Sequence, residues 1–400
     1  MVPLGQIAAV KLGKMLDRSK HKTGRELRYL RNINVRWGSI DTSDLLEMFF
    51  KDAAEEEKYS VRPGDVLVCE GGEPGRASVW AGGETELKYQ KALHRVRFNE
   101  PYEPKLLVYF LERMASTGRL EEFFTGSTIK HFTRESFIGL RVPNPPLPEQ
   151  RRIVARIEEL FSRLDAGVAA LRHAKAQLQR YRQSVLAAAV TGQLTCGNQV
   201  NWRSTCLNDL VTIKSGTGFP KHLQGEASGD YPFYKVGDIS ANWQQGRTSL
   251  TSADNYLNET EVRKIRGTIL PADTTVFAKI GAAVALNRRG LLTRPSLVDN
   301  NVMALIPGEE IVPKYLFWFM CQVDLGVKTR GGAVPSLRKG DLAEVPMNLP
   351  SIAEQHQIVA EVEARTTAID HLEAELDCQI TRSNRLRQST LAAAFAGHLT

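Results

Sequence analysis

A 47-residue segment occurs twice in this chain, and that repeat limits the possible folds more than any other feature. Residues 149–195, EQRRIVARIEELFSRLDAGVAALRHAKAQLQRYRQSVLAAAVTGQLT, return as residues 354–400, EQHQIVAEVEARTTAIDHLEAELDCQITRSNRLRQSTLAAAFAGHLT. The offset is a constant 205 without a gap, and 20 of the 47 positions are identical. The stretches ahead of each copy correspond more loosely. IAAVKLGK (Ile7–Lys14) matches LVTIKSGT (Leu210–Thr217), and RPGDVLV (Arg62–Val68) matches LPADTTV (Leu270–Val276). YLRNI (Tyr29–Ile33) aligns with YKVGDI (Tyr234–Ile239) across one gapped residue, and VPNPPLPEQ and VPMNLPSIAEQ each close a unit. The chain therefore reads as domain, long segment, domain, long segment, with expected bounds 1–147, 148–197, 198–349 and 350–400.

Both long segments read as helices. In the first, Ile153, Ile157, Leu160, Leu164, Leu171, Ala174, Leu178, Tyr181 and Val185 recur at alternating spacings of 4 and 3, with one missed slot at Gly167. That is a heptad seam. The same register in the second copy gives Ile358, Val362, Ile369, Leu372, Leu376 and Leu386, with Arg365, Gln379 and Ser383 making its seam more polar. Pro148 and Pro350 stand at the starts, and Gly192 and Gly397 are placed to cap the ends. A helix of about 40 residues is roughly 60 Å long, and a stripe of that length needs a partner as long as itself. The other copy is that partner, and the connection through the second domain makes the pair antiparallel, with one domain at each end of the rod. Charge agrees: 8 basic and 4 acidic residues in 149–195 oppose 4 basic and 7 acidic in 354–400. In the domains, VLVCE, SVWAG, HRVRF, TVFAK and VMALIP read as strands, and KLLVYFLERMASTG and PKYLFWFMCQVD as short helices. The expected fold class is α+β: two mixed α/β domains, an antiparallel coiled coil and an internal pseudo-two-fold repeat.

Composition narrows the setting. Five cysteines without a CxxC pair argue against a disulfide framework or a zinc ribbon. The start lacks a signal-peptide pattern and no apolar run reaches membrane-spanning length, so a cytoplasmic protein is expected. Catalytic motifs fail one by one. Asn144-Pro145-Pro146 suggests an adenine amino-methyltransferase, but Leu147 replaces the required aromatic and no Gly-rich cofactor turn precedes it. Asp65 and Glu70 suggest a nuclease pair, but Gly72 stands where a lysine is needed. There is no phosphate-cradling GxxxxGK[ST] and no metal-binding histidine spacing. The chain is expected to be non-catalytic and to hold no metal.

Binding remains. Residues 1–40 carry nine Lys or Arg against two acids, and Arg25, Arg28 and Arg31 are interleaved with Tyr29, Asn32 and Trp37, side chains able to read base edges or pack on sugars. The second domain offers Lys214, Lys221, Tyr234, Lys235, Asn242, Trp243, Lys279, Arg330, Arg338 and Lys339 in corresponding places. Lys91, Lys130 and His131 complete the candidate DNA-binding set. A net charge of +7 is compatible with such a role without requiring it.

The motifs LPEQRRIVARIEELFSRLD (147–165) and RYRQSVLAAAVTGQLT (180–195), their second copies at 353–370 and 385–400, and GSTIKHFTRESFIGLRVPNPPLPEQ (126–150) carry a resemblance. With them the whole chain resembles the specificity subunit of type I restriction-modification systems. The resemblance implies two target recognition domains, each reading one half of a bipartite double-stranded DNA target. It implies that the helix pair sets the spacer and docks two modification (methyltransferase) subunits, joined by restriction (translocase/nuclease) subunits. Docking is expected along Ile153, Ile157, Leu164, Leu171, Arg182, Ile358, Val362, Ile369, Leu376 and Arg387. S-adenosylmethionine, ATP and Mg would belong to those partners, with no cofactor in this chain. The competing reading is a two-headed coiled-coil adaptor for protein partners that recognises no DNA sequence.

Overall fold

The structure, a computed structural model, describes residues 1–15, 24–83, 86–195, 202–329 and 335–398. It divides into two compact units, Met1–Arg172 with Asp377–Thr400, and His173–Leu376. The boundary falls within the two long helices, Leu147–Val190 and Ile352–Phe395, each of 44 residues. Each unit thus holds one α/β domain, one end of the first helix and the opposite end of the second.

The two domains share one plan. In the first, a four-stranded antiparallel sheet runs in the order Ala8–Leu12, Leu93–Phe98, Val66–Cys69, Ala77–Val79. A smaller sheet places Arg25–Leu30 between Leu46–Phe50 and Lys88–Tyr89. In the second, the main sheet runs Val211–Ser215, Val302–Pro307, Thr275–Ala278, Arg289–Leu292, Ser249–Leu250. Its smaller sheet centres Tyr231–Tyr234 between Tyr256–Leu257 and Leu297–Val298. Central strands such as Val66–Cys69 and Thr275–Ala278 are buried along their whole length, because the β-branched and apolar run is covered on both faces.

Equivalent residues make equivalent contacts. A Cβ on Gly13 would lie 2.2 Å from the Gln90 carbonyl oxygen, and one on Gly216 would lie 2.0 Å from that of Asp299, so only glycine fits either crossing. Past the smaller sheet, the Arg31 N–H donates to Asn34 Oδ1 at 2.8 Å and the Lys235 N–H to Asp238 Oδ2 at 2.6 Å. These two turns correct the gapped alignment. YLRNIN (29–34) superposes on FYKVGD (233–238) with no gap, so Leu30 is the counterpart of Tyr234 and Tyr29 that of Phe233.

The Glu-Gln at the start of each copy has a clear structural task. Gln150 is 1% and Gln355 0% exposed. Gln150 Oε1 accepts from the Glu103 N–H at 2.9 Å, and its Nε2 donates to the Pro145 carbonyl at 2.8 Å and to Asn144 Oδ1 at 3.2 Å. Gln355 Oε1 accepts from the Val312 N–H at 2.7 Å, and its Nε2 donates to the Glu310 and Pro350 carbonyls at 3.0 Å. Each glutamine satisfies an otherwise orphaned donor at the head of a domain helix, Pro104–Ser116 or Pro313–Gln322, and ties it to the long helix. Asn144 is engaged in this clamp.

The ends of the helices pair antiparallel inside each unit. In the first, Ile157 and Phe161 pack on Leu391 and Ala394, while Arg387 Nη1 donates to Asp165 Oδ1 at 3.1 Å and the guanidinium lies 3.7 Å from the Phe161 ring centre. In the second, Val185, Leu186 and Ala189 share a core with Ile358, Val359 and Val362, and Arg182 Nη2 meets Asp370 Oδ1 at 2.6 Å and Glu373 Oε2 at 3.2 Å. Arg182 and Arg387, like Asp165 and Asp370, are repeat equivalents, so one ion pair is made twice with its partners exchanged between helices. Gly192 (φ 75°) and Gly397 (φ 80°) close the helices in the left-handed region.

The simple heptad seam needs correction. Val154, Phe161, Val359 and Thr366 are buried off the expected stripe, because each helix packs on its own domain as well as on its partner and buries a wider face. Leu372, Leu386 and Tyr181 are exposed instead, at 52%, 46% and 45%. Glu373 and Arg387, one residue along, take the inward positions for their ion pairs and turn the leucines outward. The expected docking set changes with it. Ile157, Ile358, Val362 and Ile369 are buried in their own unit, and Ile153 and Leu164 pack partly buried there. Arg182 and Arg387 are committed to the helix pairing, and Leu171 and Leu376 are half-buried.

Candidate nucleic-acid interface

In each domain the loops that leave the sheets converge on one edge. In the first these are the turn after Ala8–Leu12, the turn 31–34 after Arg25–Leu30, the segment after Val66–Cys69, and the hairpin 125–131. Backbone bonds bind them together: the Lys91 N–H donates to the Lys14 carbonyl at 2.8 Å, the Glu70 N–H to that of Ala92 at 2.9 Å, and the Phe132 N–H to that of Glu70 at 2.8 Å. The hairpin is closed by reciprocal bonds between Thr125 and His131 at 2.8 and 2.9 Å. Its tip, Ser127 to Lys130, is exposed, with Ile129 at 66%. The second domain repeats the network. The Lys279 N–H donates to the Asn301 carbonyl at 2.9 Å, and the Leu337 N–H to that of Lys279 at 2.8 Å.

The candidate side chains fall into three groups. Some face solvent: Lys91, Lys130, Lys214, Lys221, Arg338 and Lys339 are exposed and Lys279 is half-buried. Burial and the neighbouring Lys339 lower the Lys279 ammonium from its ordinary range. Others are engaged by the protein. Arg25 pairs with Glu86 at 2.5 Å, which raises its pKa, Arg28 lies 3.8 Å from Glu47, and Arg31 meets Asp44 at 2.7 Å. Lys235 donates to Gln224 at 2.6 Å beside the Phe219 ring. Asn32 Nδ2 donates to the Gly71 carbonyl at 3.1 Å and Asn242 Nδ2 to that of Arg247 at 2.9 Å, so both brace loops. Trp37 packs partly buried on the first core, and half-buried Trp243 lines a cleft of about 1040 Å3 with Arg289 and Trp318.

Two assignments are corrected outright. Tyr29 is 2% and Tyr234 0% exposed; Tyr29 packs with Met48 and Phe50, and the Tyr234 hydroxyl donates to the Leu250 carbonyl at 3.1 Å. At the end of each strand both faces are covered, with Tyr29 and Leu30, and Phe233 and Tyr234, all buried, so these rings lie in the core. Arg330 lies outside the described residues. Asp65 of the rejected nuclease pair is held by Arg97 through two bonds of 2.7 Å and by the Arg62 N–H. Glu70, its supposed partner, instead stands within the loop edge, a position the sequence reading missed. Among the described residues no group of His, Cys, Asp and Glu is arranged to hold a metal ion, and no helix is long and apolar enough to cross a membrane.

Comparison with known proteins places this geometry. Residues 199–382 match the family model of the type I restriction modification DNA specificity domain. The specificity subunit of the type I restriction enzyme EcoBI from Escherichia coli is 28% identical over 369 residues, 86% of this chain and 75% of that protein. The second domain and the first part of the second long helix are therefore similar to a type I restriction modification DNA specificity domain. The StySPI specificity subunit of Salmonella potsdam is 23% identical over 390 residues, covering 93% of this chain and 82% of that one. Two solved structures share the fold at low identity. A chain from a study of complex assembly and conformational transition in the type I R-M system aligns with a TM-score of 0.76 at 18% identity, over 99% of this chain and 97% of its own length. The HsdS subunit from Thermoanaerobacter tengcongensis gives 0.61 at 18% identity, over 99% and 96%.

Proposed function

We propose that this chain is the DNA-recognition subunit of a type I restriction-modification complex, each α/β domain reading one half of a bipartite duplex target. The observation that carries this reading is the duplicated loop edge: two domains of one plan present unlike sets of cations and polar side chains at equivalent positions. A purely structural duplication has no need of divergent chemistry at one edge, whereas two half-sites of different sequence require it. The adaptor reading lacks such an observation. The chain acts by binding and carries out no chemistry of its own. S-adenosylmethionine, ATP and Mg belong to the modification and restriction subunits, and this chain holds no cofactor. Two modification subunits dock on it, one per pseudo-symmetric half, and the long helices set the number of base pairs between half-sites. Among the described residues of the long helices, the exposed apolar side chains Tyr181, Ile352, Leu372 and Leu386 are available for docking.

The test is binding to duplex DNA by the chain with its modification subunits across a salt series. Affinity is expected to fall steeply with salt for random duplex and to stay higher for duplex carrying the methylated target of the source genome. Equal, salt-insensitive binding to both would contradict the reading. A heptad inserted into each long helix adds about 10 Å, and the spacer of the methylated sequence is expected to lengthen by roughly 3 bp.

A further inference from the structure

One slot on the loop edge differs in sign between the domains. Glu70 and Lys279 each follow the central strand of their main sheet. Each donates its N–H to the residue just before the neighbouring strand, Ala92 or Asn301, at 2.9 Å. Each accepts, through its carbonyl, from the residue that leaves the closing segment, Phe132 or Leu337, at 2.8 Å. The same backbone bonds hold both sides, so the two side chains leave from equivalent points, Glu70 beside His131 and Lys279 near Lys339.

A carboxylate at that point is uninformative for phosphate, which it repels. Glu70 is also not consumed by the protein. Among the described residues its ion-pair partner is His131, with Nδ1 3.3 Å from Oε1, and that nitrogen makes no hydrogen bond. The side chain keeps 18% of its surface open, enough for its oxygens to accept from a ligand. In the major groove, duplex DNA offers a carboxylate one kind of partner, the exocyclic amino groups of cytosine and adenine. An ammonium in the same slot finds the complementary pattern, the O6 and N7 acceptors of guanine. We propose that Glu70 and Lys279 occupy one base-reading slot in the two recognition domains, Glu70 selecting an amino-bearing base in one half-site and Lys279 a guanine in the other. This rests on the DNA-recognition reading above and adds to it which residue reads and what it reads.

The experiment uses the whole complex, with duplexes randomised in each half-site and methylated positions sequenced. Glu70→Gln, nearly the same shape, is expected to relax discrimination at one base position of one half-site by about tenfold and to leave the other half unchanged. Lys279→Gln is expected to do the same in the other half only, and Glu70→Lys to shift the preference at its position toward guanine. The unaffected half reports in each case that the complex is folded and active. Unchanged preferences in both Gln variants overturn the assignment, as does His131→Gln reproducing the Glu70→Gln pattern, which would make Glu70 a positioning residue for the hairpin. A wild-type complex without any half-site preference overturns the DNA-recognition reading itself, and the slot with it.

Discussion

The two recognition domains differ in what they put on a common skeleton. Positions that hold the skeleton are the same or chemically matched: Gly13 and Gly216 at the strand crossing, Asn34 and Asp238 in the turn, Gln150 and Gln355 at the helix clamp. Positions on the loop edge or in the packing beneath it are not. Lys279 stands in the second domain where Glu70 stands in the first, and the strand registers make Met303, paired with Phe277, the counterpart of buried His94, paired with Val68. Arg31 is held by Asp44, whereas its counterpart Lys235 is held by Gln224 and Phe219. Backbone geometry admits few solutions at a close crossing or a buried helix start, while a surface that reads DNA is free to vary with its target. The difference therefore separates residues that build the fold from residues that use it.

That separation can be broken experimentally at several depths. The largest effect is expected from Gly216→Ala, which drives a Cβ into the Asp299 backbone, where nothing flexible can yield. The second unit should lose at least about 3 kcal/mol, and Gly13→Ala should do the same to the first. Hydrogen exchange followed separately in each unit checks it, and equal protection in mutant and wild type would deny the close crossing. Next are the clamps. Gln355→Ala or Gln150→Ala leaves a buried N–H and two carbonyls without partners, for a loss of about 2–3 kcal/mol in its own unit by the same measurement.

A third prediction uses the His94–Met303 difference. Burial lowers the His94 imidazole below its ordinary value of 6.5, and its Nε2 lies 2.6 Å from the Phe132 carbonyl oxygen. The unfolded chain takes up a proton near the ordinary value while the folded unit resists it. Stability is then full above about pH 6.5 and falls as pH drops below it. The first unit should lose protection between pH 7 and 5, the second should lack this contribution, and His94→Met should remove it from the first. The smallest effects are expected at the exchanged ion pairs. Arg182→Ala should cost its unit about 1 kcal/mol, since its nearer partner Asp370 is 60% exposed. Arg387→Ala should cost more, because the guanidinium also covers the Phe161 ring. Equal losses would deny the stacking contribution.

Much of the fold was legible because it is duplicated. The repeat exposed the two long helices and the counterpart of IAAVKLGK, each written twice with its apolar spacing intact. It set RPGDVLV one residue out of register, since Val66–Cys69 corresponds to Thr275–Ala278. The helix register was less legible. Heptad counting sees one partner, but each helix end serves both the other helix and a domain core, and Glu373 and Arg387 displace leucines from the seam. The binding edge was least legible. Basic and aromatic residues close in sequence, such as Arg28 and Tyr29, point to opposite faces of one strand, exposed and buried. Glu70 was read only as half of a rejected nuclease pair, because an acid is not sought in a DNA-binding surface. The Glu-Gln repeat was itself a signal, and its meaning emerged only when Gln150 and Gln355 were found bonding the domain helices.

The account stands or falls on whether each domain reads its own half of the target. Replacing residues 202–349 with the second domain of a relative of different specificity, and mapping methylated adenines made by the assembled complex, tests this directly. One half-site is expected to change to the donor's sequence while the other half is retained. A change in both halves, or in neither from a complex that still methylates, would contradict it.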